Sequence, residues 1–465
     1  MSEKGKFKLN RRDFLRIAGV GAGATAITAI AKPAAAKGSF AAGAFSDPAG
    51  RPQRPWYVKT VDQPTTEIDW SKVQRYDERN GSVRGPGHAK YIGQEEVDRI
   101  GAIAKENELQ RMLNNVDGYT LKDQALDASH VRIGKTYLGP QEAPTPEERG
   151  VPKWTGSPEE AARILRAAIR HFGAATVGFI ELDENTRKLI YAIDPDGKEL
   201  IFTDEEEAYE TEDARYIPNK CKYAIVYTVQ MSQETMRRCP TVLASQTTGL
   251  AYARGETIQA SIQEFLRGLG YQGLGESSTN ALAIAPALGV MAGLGEMSRL
   301  NRLISPEFGP MVRVFKVLTD LPVAVDKPID AGIMEFCKHC KKCAEACPSE
   351  SLSFLDEPTW ETQGGWNNPG HKAYFENSVT CRTYWREVAG TNCGICFAVC
   401  PFAKKDKAWV HEWVKAGSAT APFLDSFFRS MDDAFGYGIQ ASAEEWWSLD
   451  LPEFGIDTTQ SVQEA

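Results

Sequence analysis

The sequence predicts an α/β domain followed by a smaller cysteine-rich domain. Helical and strand patterns alternate from about residue 157 onward, as they do in α/β domains. Eight of the ten cysteines fall between Cys337 and Cys400, and such clustering is expected of metal ligands rather than of scattered disulfides. The 465 residues, of which 42% are apolar and 25% charged, suffice for two or three globular domains of about 150 residues each.

The first 36 residues are expected to be an export signal and not part of the fold. Paired arginines, Arg11 and Arg12, precede a weakly apolar run over residues 17–31 and three alanines at residues 34–36. This order is typical of twin-arginine signals, which direct the export of proteins already folded around a cofactor; a basic amphipathic tail is the alternative.

Charge and hydropathy limit the binding partners that the mature protein is expected to have. Removal of residues 1–36 takes away seven basic and two acidic residues and changes the net charge from −9 to −14. So acidic a protein is not expected to bind nucleic acid. The mature sequence has no span of about 20 apolar residues, so we expect any association with a membrane to be peripheral.

Residues 37–155 are predicted to form an irregular unit with short helices. This stretch is rich in proline, glycine and charged residues, and it carries aromatic residues such as Trp56 and Trp70. One of its helices is predicted from Gln94 to Asn115.

The α/β domain is predicted over residues 156–328. Ser157 is a favourable N-cap and Pro158 a favourable first helical residue, and apolar residues then follow at helical spacing up to Phe172. Two buried strands and a further helix are predicted at residues 175–180, 223–229 and 258–269.

Glycines surround Tyr271 directly after the last of these helices. They stand at positions 268, 270, 273 and 275. A dinucleotide fingerprint follows a strand, whereas this pattern follows a helix, so its position argues against a dinucleotide site. We expect instead a closely packed backbone against a large planar ligand, with Tyr271 in contact with that ligand.

Two cysteine motifs predict two [4Fe–4S] clusters. The run Cys337-x2-Cys340-x2-Cys343-x3-Cys347-Pro is the bacterial ferredoxin motif, in which three cysteines bind one cluster and the fourth binds the other. A second motif repeats its latter half, and a further cysteine precedes that motif by twelve residues. The crossed assignment gives one set of Cys337, Cys340, Cys343 and Cys400 and a second set of Cys347, Cys381, Cys393 and Cys396.

Zinc is the alternative occupant of these cysteines. Four-thiolate zinc sites use Cys-x2-Cys pairs separated by a long gap, and the three-cysteine run and the Cys-Pro endings fit that pattern poorly. Cys221 and Cys239 lie outside both sets and are expected to be small buried residues.

Short segments in a fixed order along the chain resemble one known family. They lie at residues 294–299, 306–310, 318–322, 327–330, 335–337 and 435–438. With the leader and the cysteine motifs, they resemble the corrinoid-dependent reductive dehalogenases of organohalide-respiring bacteria. Three more segments, at residues 69–71, 152–154 and 444–447, look most like the enzymes that act on chlorinated ethenes.

The resemblance implies a fold and its domains. The class is mixed α+β or α/β, with a nitroreductase-like domain that binds a cobamide over residues 156–328. A ferredoxin-like domain with two [4Fe–4S] clusters follows at residues 329–410. The C-terminal segment, residues 411–465, is expected to pack on the core.

The resemblance also implies a proton donor. The family's tyrosine matches Tyr252, and its cationic partner matches Arg313. A phenol holds its proton at neutral pH, and a neighbouring cation stabilises the phenolate that forms when the proton leaves.

Other pocket residues follow from the same resemblance. A pocket amide matches Asn280, with Ser278 as the alternative because a short insertion falls here. Trp385 matches an aromatic wall of the cofactor pocket. Asn392 stands where a family member has an aromatic residue, so we expect a different pocket shape. The resemblance also implies that the cobamide is bound base-off, and the sequence agrees, since none of the six histidines has a spacing that suggests a cobalt ligand.

The predicted function is respiratory reductive dehalogenation of a chloroethene or chloroalkane by a Co(I) corrinoid that two [4Fe–4S] clusters supply with electrons. Implied partners are the small halogenated substrate, a small integral-membrane anchor protein and an upstream membrane electron donor, with a homodimer as one option. The expected location is the outer face of the cell membrane.

Two alternatives remain at this stage. An epoxyqueuosine-reductase-like corrinoid enzyme would act on RNA, which the leader and the net charge disfavour. A non-catalytic ferredoxin-type electron carrier would leave the long segment before the cysteine motifs without a role.

Overall fold

The computed structural model describes residues 46–404, 409–434 and 436–456. The predicted signal at residues 1–36 therefore lies outside the described residues, as does Phe435 of the segment 435–438. None of the helices within these ranges is both long enough and apolar enough to cross a membrane.

An antiparallel sheet of four strands forms the centre of the molecule. Its strands lie side by side in the order Thr176–Glu181, Tyr223–Gln230, Val312–Thr319 and Gly273–Leu274. Because every pairing in this sheet is antiparallel, the alternation of helix and strand produces an α+β rather than a parallel α/β domain. The strands are β1 Lys59–Thr60, β2 Thr176–Glu181, β3 Glu199–Thr203, β4 Tyr209–Glu210, β5 Ala214–Pro218, β6 Tyr223–Gln230, β7 Gly273–Leu274, β8 Glu296–Met297, β9 Leu303–Ile304, β10 Val312–Thr319 and β11 Ile329–Asp330.

Helices cover the sheet and build the cysteine-rich domain. A π-helical turn, Trp385–Ala389, continues one of them. The α-helices span Gly85–Ile92, Gln94–Leu113, Leu121–Ala128, Pro158–His171, Gln233–Met236, Val242–Leu269, Ala285–Met291, Ile333–Cys340, Lys342–Glu345, Ser378–Tyr384, Ile395–Ala398, Trp409–Thr420, Asp425–Ala434 and Ala443–Trp446.

The helix Pro158–His171 confirms the prediction from local signals. The Ser157 side chain accepts a hydrogen bond from the Glu160 amide at 3.1 Å, as an N-cap should. Ala162, Leu165 and Ile169 of its apolar stripe are fully buried, and Ala168 and Phe172 are partly buried. The two predicted strands and the helix predicted from Gln94 are likewise confirmed.

The helix Val242–Leu269 is much longer than the predicted segment 258–269. Thr241 caps its start, accepting a hydrogen bond from the Ala244 amide at 3.1 Å. A Cβ atom at Gly255 would overlap the Phe315 ring of β10, so glycine lets this helix lie directly against the sheet. We call it the long helix below.

The N-terminal residues 46–155 pack onto the central domain. β1 pairs with β11, so the start of the described chain meets the junction with the cysteine-rich domain. Arg75 donates hydrogen bonds to backbone carbonyls of Tyr191 and Leu200, both at 2.5 Å. The predicted irregular unit is therefore part of the wall around the central domain.

Three charged side chains form a buried triad behind the sheet. Glu276 pairs with Lys135, Oε2 to Nζ at 2.8 Å, and also with Lys316 of β10. All three side chains are at most 1% exposed. The Lys135 ammonium lies 4.7 Å from the centroid of the Phe315 ring, so the triad supports the strand that carries this ring.

Replacement of Glu276 by glutamine is expected to lower the free energy of unfolding by about 3–5 kcal/mol, because two buried ammonium groups lose their counter-charge. Thermal unfolding of the purified protein measures the effect. Glu205→Gln, at an exposed position in the loop between β3 and β4, is the control and should change the unfolding midpoint little. Equal midpoints for the two variants would contradict the triad's role.

Candidate functional site

The first predicted cysteine set lines one small cavity. Cys337, Cys340 and Cys343 lie on the helices Ile333–Cys340 and Lys342–Glu345, and Cys400 approaches from the second motif. All four side chains are buried, and burial raises the pKa of Cys337 to about 12. A metal must therefore displace protons from these thiols when it binds.

The second set assembles beside the first. Cys381 interacts electrostatically with Cys393 and Cys347, and Cys396 interacts with Cys381 and Cys393. Burial raises the pKa of Cys393 to about 11. Cys396 also interacts with a cysteine of the first set, Cys343, so the two sets adjoin. The structure thus brings together the eight cysteines in the crossed sets that the spacing predicts.

Zinc, the alternative occupant, needs four sulfur atoms at about 2.3 Å from one point. Across the ranges that the structure describes, no three His, Cys, Asp or Glu side chains converge in a way that could hold one metal ion. Cys221 lies outside both sets, whereas Cys239 lies beside Cys393.

A cavity of about 710 Å³ lies between the central domain and the cysteine-rich domain. The long helix and β10 form one wall, and residues 66–84 and 366–378 form another. Trp385, Asn392 and Phe397 complete it, and these residues alternate along the chain with cysteines of the second set. The second set therefore lies directly behind one wall of the cavity.

Three predicted site residues meet in this cavity. Tyr252 projects from the long helix, and its hydroxyl lies 3.4 Å from Oδ1 of Asn280. Arg313, from β10, places its guanidinium carbon 5.4 Å from the centroid of the Tyr252 ring. Arg313 also donates from Nη2 to the Thr248 hydroxyl at 3.2 Å, and this bond orients it. Ser278, the alternative to Asn280, lines the cavity as well.

Sequence reasoning missed a second arginine beside the tyrosine. The Arg132 guanidinium carbon lies 5.6 Å from the centroid of the Tyr252 ring. Arg132 forms an ion pair with the buried Glu256 and donates to the Thr279 hydroxyl at 3.2 Å. Since Arg313 lies 5.4 Å from the same ring, Tyr252 has two arginines beside it, of which Arg313 lines the cavity.

Several residues of the cavity wall carry a buried polar atom without a hydrogen-bond partner among the described residues. Such atoms are rare in native interiors unless a ligand, ion or water pairs with them. All of these residues line the same cavity, which favours a ligand with polar groups of its own. The atoms are Thr66 Oγ1, Glu78 Oε2, Ser278 Oγ, Arg313 Nε and Arg382 Nε.

Glu78 and His371 also escaped sequence reasoning, since neither stands in a recognisable motif. Burial raises the pKa of the Glu78 carboxyl to about 7, and Arg84 Nε lies 4.0 Å from its Oε2 atom. Burial lowers the pKa of His371 to about 4, so this cavity-lining ring is neutral at pH 7. The ring packs edge-on against Phe375, with centroids 5.0 Å apart.

The prediction for Tyr271 is wrong. Its hydroxyl donates to the backbone carbonyl of Trp154 at 3.0 Å, and the Lys153 ammonium covers its ring at 3.5 Å, away from the cavity. The neighbouring glycines serve chain packing. Gly270 ends the long helix in the left-handed conformation, with φ of +89°, and a Cβ atom at Gly275 would overlap Gln259.

Comparison with protein-family models gives two matches. Residues 53–134 and 127–323 match the model described as "Reductive dehalogenase subunit". Residues 336–403, which include both cysteine sets, match the "4Fe-4S double cluster binding domain".

Similar proteins match over nearly the whole chain. The tetrachloroethene reductive dehalogenase of Sulfurospirillum multivorans is 32% identical, and the alignment covers 98% of this chain and 96% of that protein. The trichloroethene reductive dehalogenase of Dehalococcoides mccartyi is 29% identical, covering 97% of this chain and 98% of that protein.

A solved structure shares the fold. The catabolic reductive dehalogenase NpRdhA, solved in complex with 3-bromo-4-hydroxybenzoic acid, matches with a TM-score of 0.60 and 26% identity. The match covers 82% of this chain and 49% of that one, so this chain spans about half the length of the solved relative.

Cys381→Ser is expected to lose the second cluster and to retain the first, because a hydroxyl is a poor substitute for a cluster thiolate. Iron bound per chain should fall by about half. Cys221→Ala, which removes a buried cysteine outside both sets, is the control and should keep its iron. Full iron content in Cys381→Ser would refute the assignment of this ligand.

Proposed function

Because the chain belongs to the reductive dehalogenase family, we propose that it replaces a carbon–chlorine bond by a carbon–hydrogen bond in a small chlorinated hydrocarbon. The predicted fold and the domain with two [4Fe–4S] clusters are confirmed, and the chain is an oxidoreductase. Relatives named for trichloroethene and tetrachloroethene match over their whole length and favour a chloroethene or chloroalkane as substrate. The same long match favours this function over the two alternatives.

A corrinoid fits the cavity between the domains. A volume of about 710 Å³ is in the range of cofactor pockets. The unpartnered polar atoms of the wall suit the amide groups around a corrin ring, and apolar walls suit its faces. His371, which packs edge-on against Phe375, would border the corrinoid. When bound, the corrinoid supplies a low-valent cobalt that reduces the carbon–halogen bond.

The chain's own part in the reaction is to supply a proton in a site shielded from water. The overall step consumes two electrons and one proton and releases chloride: R–Cl + 2e⁻ + H⁺ → R–H + Cl⁻. The Tyr252 hydroxyl donates this proton to the substrate carbon. Arg313 and Arg132, whose guanidinium groups lie beside the ring, stabilise the phenolate that remains. Asn280 accepts the tyrosine hydrogen bond in the resting site and so orients the hydroxyl.

Electrons reach the cavity through the second cysteine set. Trp385 and Phe397 belong both to the cavity wall and to the segments that carry Cys381 and Cys396. The first set adjoins the second, since Cys396 interacts electrostatically with Cys343. We therefore propose the order first cluster, second cluster, cavity.

The location is proposed from the leader. Paired Arg11 and Arg12 support twin-arginine export and action at the outer face of the cell membrane. There we expect a small integral-membrane protein to anchor the enzyme and a membrane donor to supply its electrons. A homodimer remains part of this proposal.

Tyr252→Phe is expected to lower turnover by about 10²–10⁴-fold, because the proton donor is lost while the ring remains. Corrinoid and iron contents should stay unchanged. Tyr209→Phe removes the hydroxyl of an exposed tyrosine remote from the cavity and should retain full turnover. Undiminished turnover in Tyr252→Phe would refute the proton-donor role.

Purified protein tests the proposed function as a whole. Cobalt and cyanide-extractable corrinoid should both approach one per chain. With reduced viologen as donor, the protein should release chloride from at least one member of a panel of chlorinated ethenes, ethanes, propanes and arenes. Iron without cobalt, or cobalt without chloride release from the entire panel, would contradict the proposal.

A further inference from the structure

Arg299 is a buried cation that touches the backbone of the first cysteine set. Its side chain is 1% exposed. Its Nε and Nη2 atoms donate to the Cys337 carbonyl at 3.0 and 2.7 Å, and Nη1 donates to the carbonyls of Ser353 and Leu355. The guanidinium carbon also lies 4.0 Å from the centroid of the Tyr374 ring. Every strong contact of Arg299 is thus with an uncharged group.

Other cations around the first set are neutralised by acids. Asp356 interacts electrostatically with Arg299, but Asp356 is itself paired with Lys341 and its side chain is largely exposed. Within the described ranges Arg299 has no ion pair, whereas each neighbouring cation has one. These pairs are Lys342 with Asp432 and Asp433, Lys404 with Asp432, and Arg429 with Glu345.

The second set also has an arginine beside it, but this arginine is paired with an acid. Arg302 lies three residues further along the chain and interacts electrostatically with Cys381 and Cys396. Its Nη2 atom pairs with Oε1 of the buried Glu376 at 2.6 Å. The arginine at the second set thus has an acid partner, whereas Arg299 has none among the described residues. The buried Glu296 also acts on Cys337, and its carboxylate accepts hydrogen bonds from the Ala331 and Ile333 amides.

We propose that Arg299 is a positioning residue that raises the reduction potential of the first cluster, while Glu376 cancels the corresponding effect of Arg302 on the second. Reduction adds one electron to a cluster and its thiolates and breaks no bond, so a nearby uncompensated cation favours the reduced form. Net charge and hydrogen bonding around the sulfurs are known determinants of cluster potential. The inference rests on the two-cluster domain and holds whichever organohalide is reduced.

The consequence for electron flow is that the first cluster can hold an electron at the point where electrons enter the protein. The Arg299 charge favours filling the first cluster before the second cluster, which borders the cavity. The device would supply two successive electrons to a reaction that consumes two.

Redox titration of the holoprotein with dithionite, followed by electron paramagnetic resonance, tests this inference. In Arg299→Gln, one of the two one-electron steps should move to lower potential by at least tenfold in its equilibrium constant, which is about 59 mV. The other step should stay in place. Arg299→Lys keeps the charge and should restore most of the shift. An unmoved titration, a common shift of both steps, or equal shifts in the Gln and Lys variants would overturn the proposal.

A second variant, expected to shift a reduction potential in the opposite direction, keeps the test decisive if Arg299→Gln does not retain both clusters. Glu376→Gln removes the counter-charge of Arg302, so the other step should move to higher potential while the Arg299-dependent step stays unchanged. Absence of a positive shift in Glu376→Gln would overturn the charge argument. Iron content and corrinoid content, measured on the same samples, show that the cofactors are in place.

Discussion

The wall shared by the second cysteine set and the large cavity is the constraint on which the rest of the structure depends. In the proposed reaction electrons pass from sulfur-bound iron to a group in the cavity, and such transfer requires proximity. Trp385 and Phe397 provide it, since they line the cavity and stand within four residues of Cys381 and Cys396. The N-terminal residues then close the opposite side, so the reaction space is formed by parts of the chain that are far apart in sequence.

Within that space, charge is arranged around one hydroxyl. Tyr252 is held on the long helix, which can lie against the sheet only because Gly255 leaves room for Phe315. The buried triad of Lys135, Glu276 and Lys316 supports the same strand from behind. Fixed cations near a developing negative charge act strongly in a site with little water, because they need not reorganise during the reaction.

Much of the fold was predictable because its signals are local. Ser157 and Pro158 indicate the start of a helix within a few residues, and cysteine spacing alone predicts both cysteine sets. The first half of the long helix was missed because Thr247, Thr248 and Gly249 are weak helix formers, and tertiary packing overrides their preference. Arg132 and Glu78 were missed because they lie in a segment without periodic pattern, where only the folded chain brings Arg132 to Tyr252 and Glu78 to the cavity. Tyr271 was misassigned because glycines that end a helix resemble glycines that receive a ligand.

The central claim is that a corrinoid in the cavity lies next to the second cluster. Electron paramagnetic resonance of the purified protein tests it most directly. When the cobalt is in its paramagnetic Co(II) form and the clusters are reduced, we predict a cobalt signal that is broadened and relaxes faster than it does with oxidised clusters. In a protein lacking the second cluster, this effect should disappear. A cobalt signal that is indifferent to the state of the clusters would contradict the account.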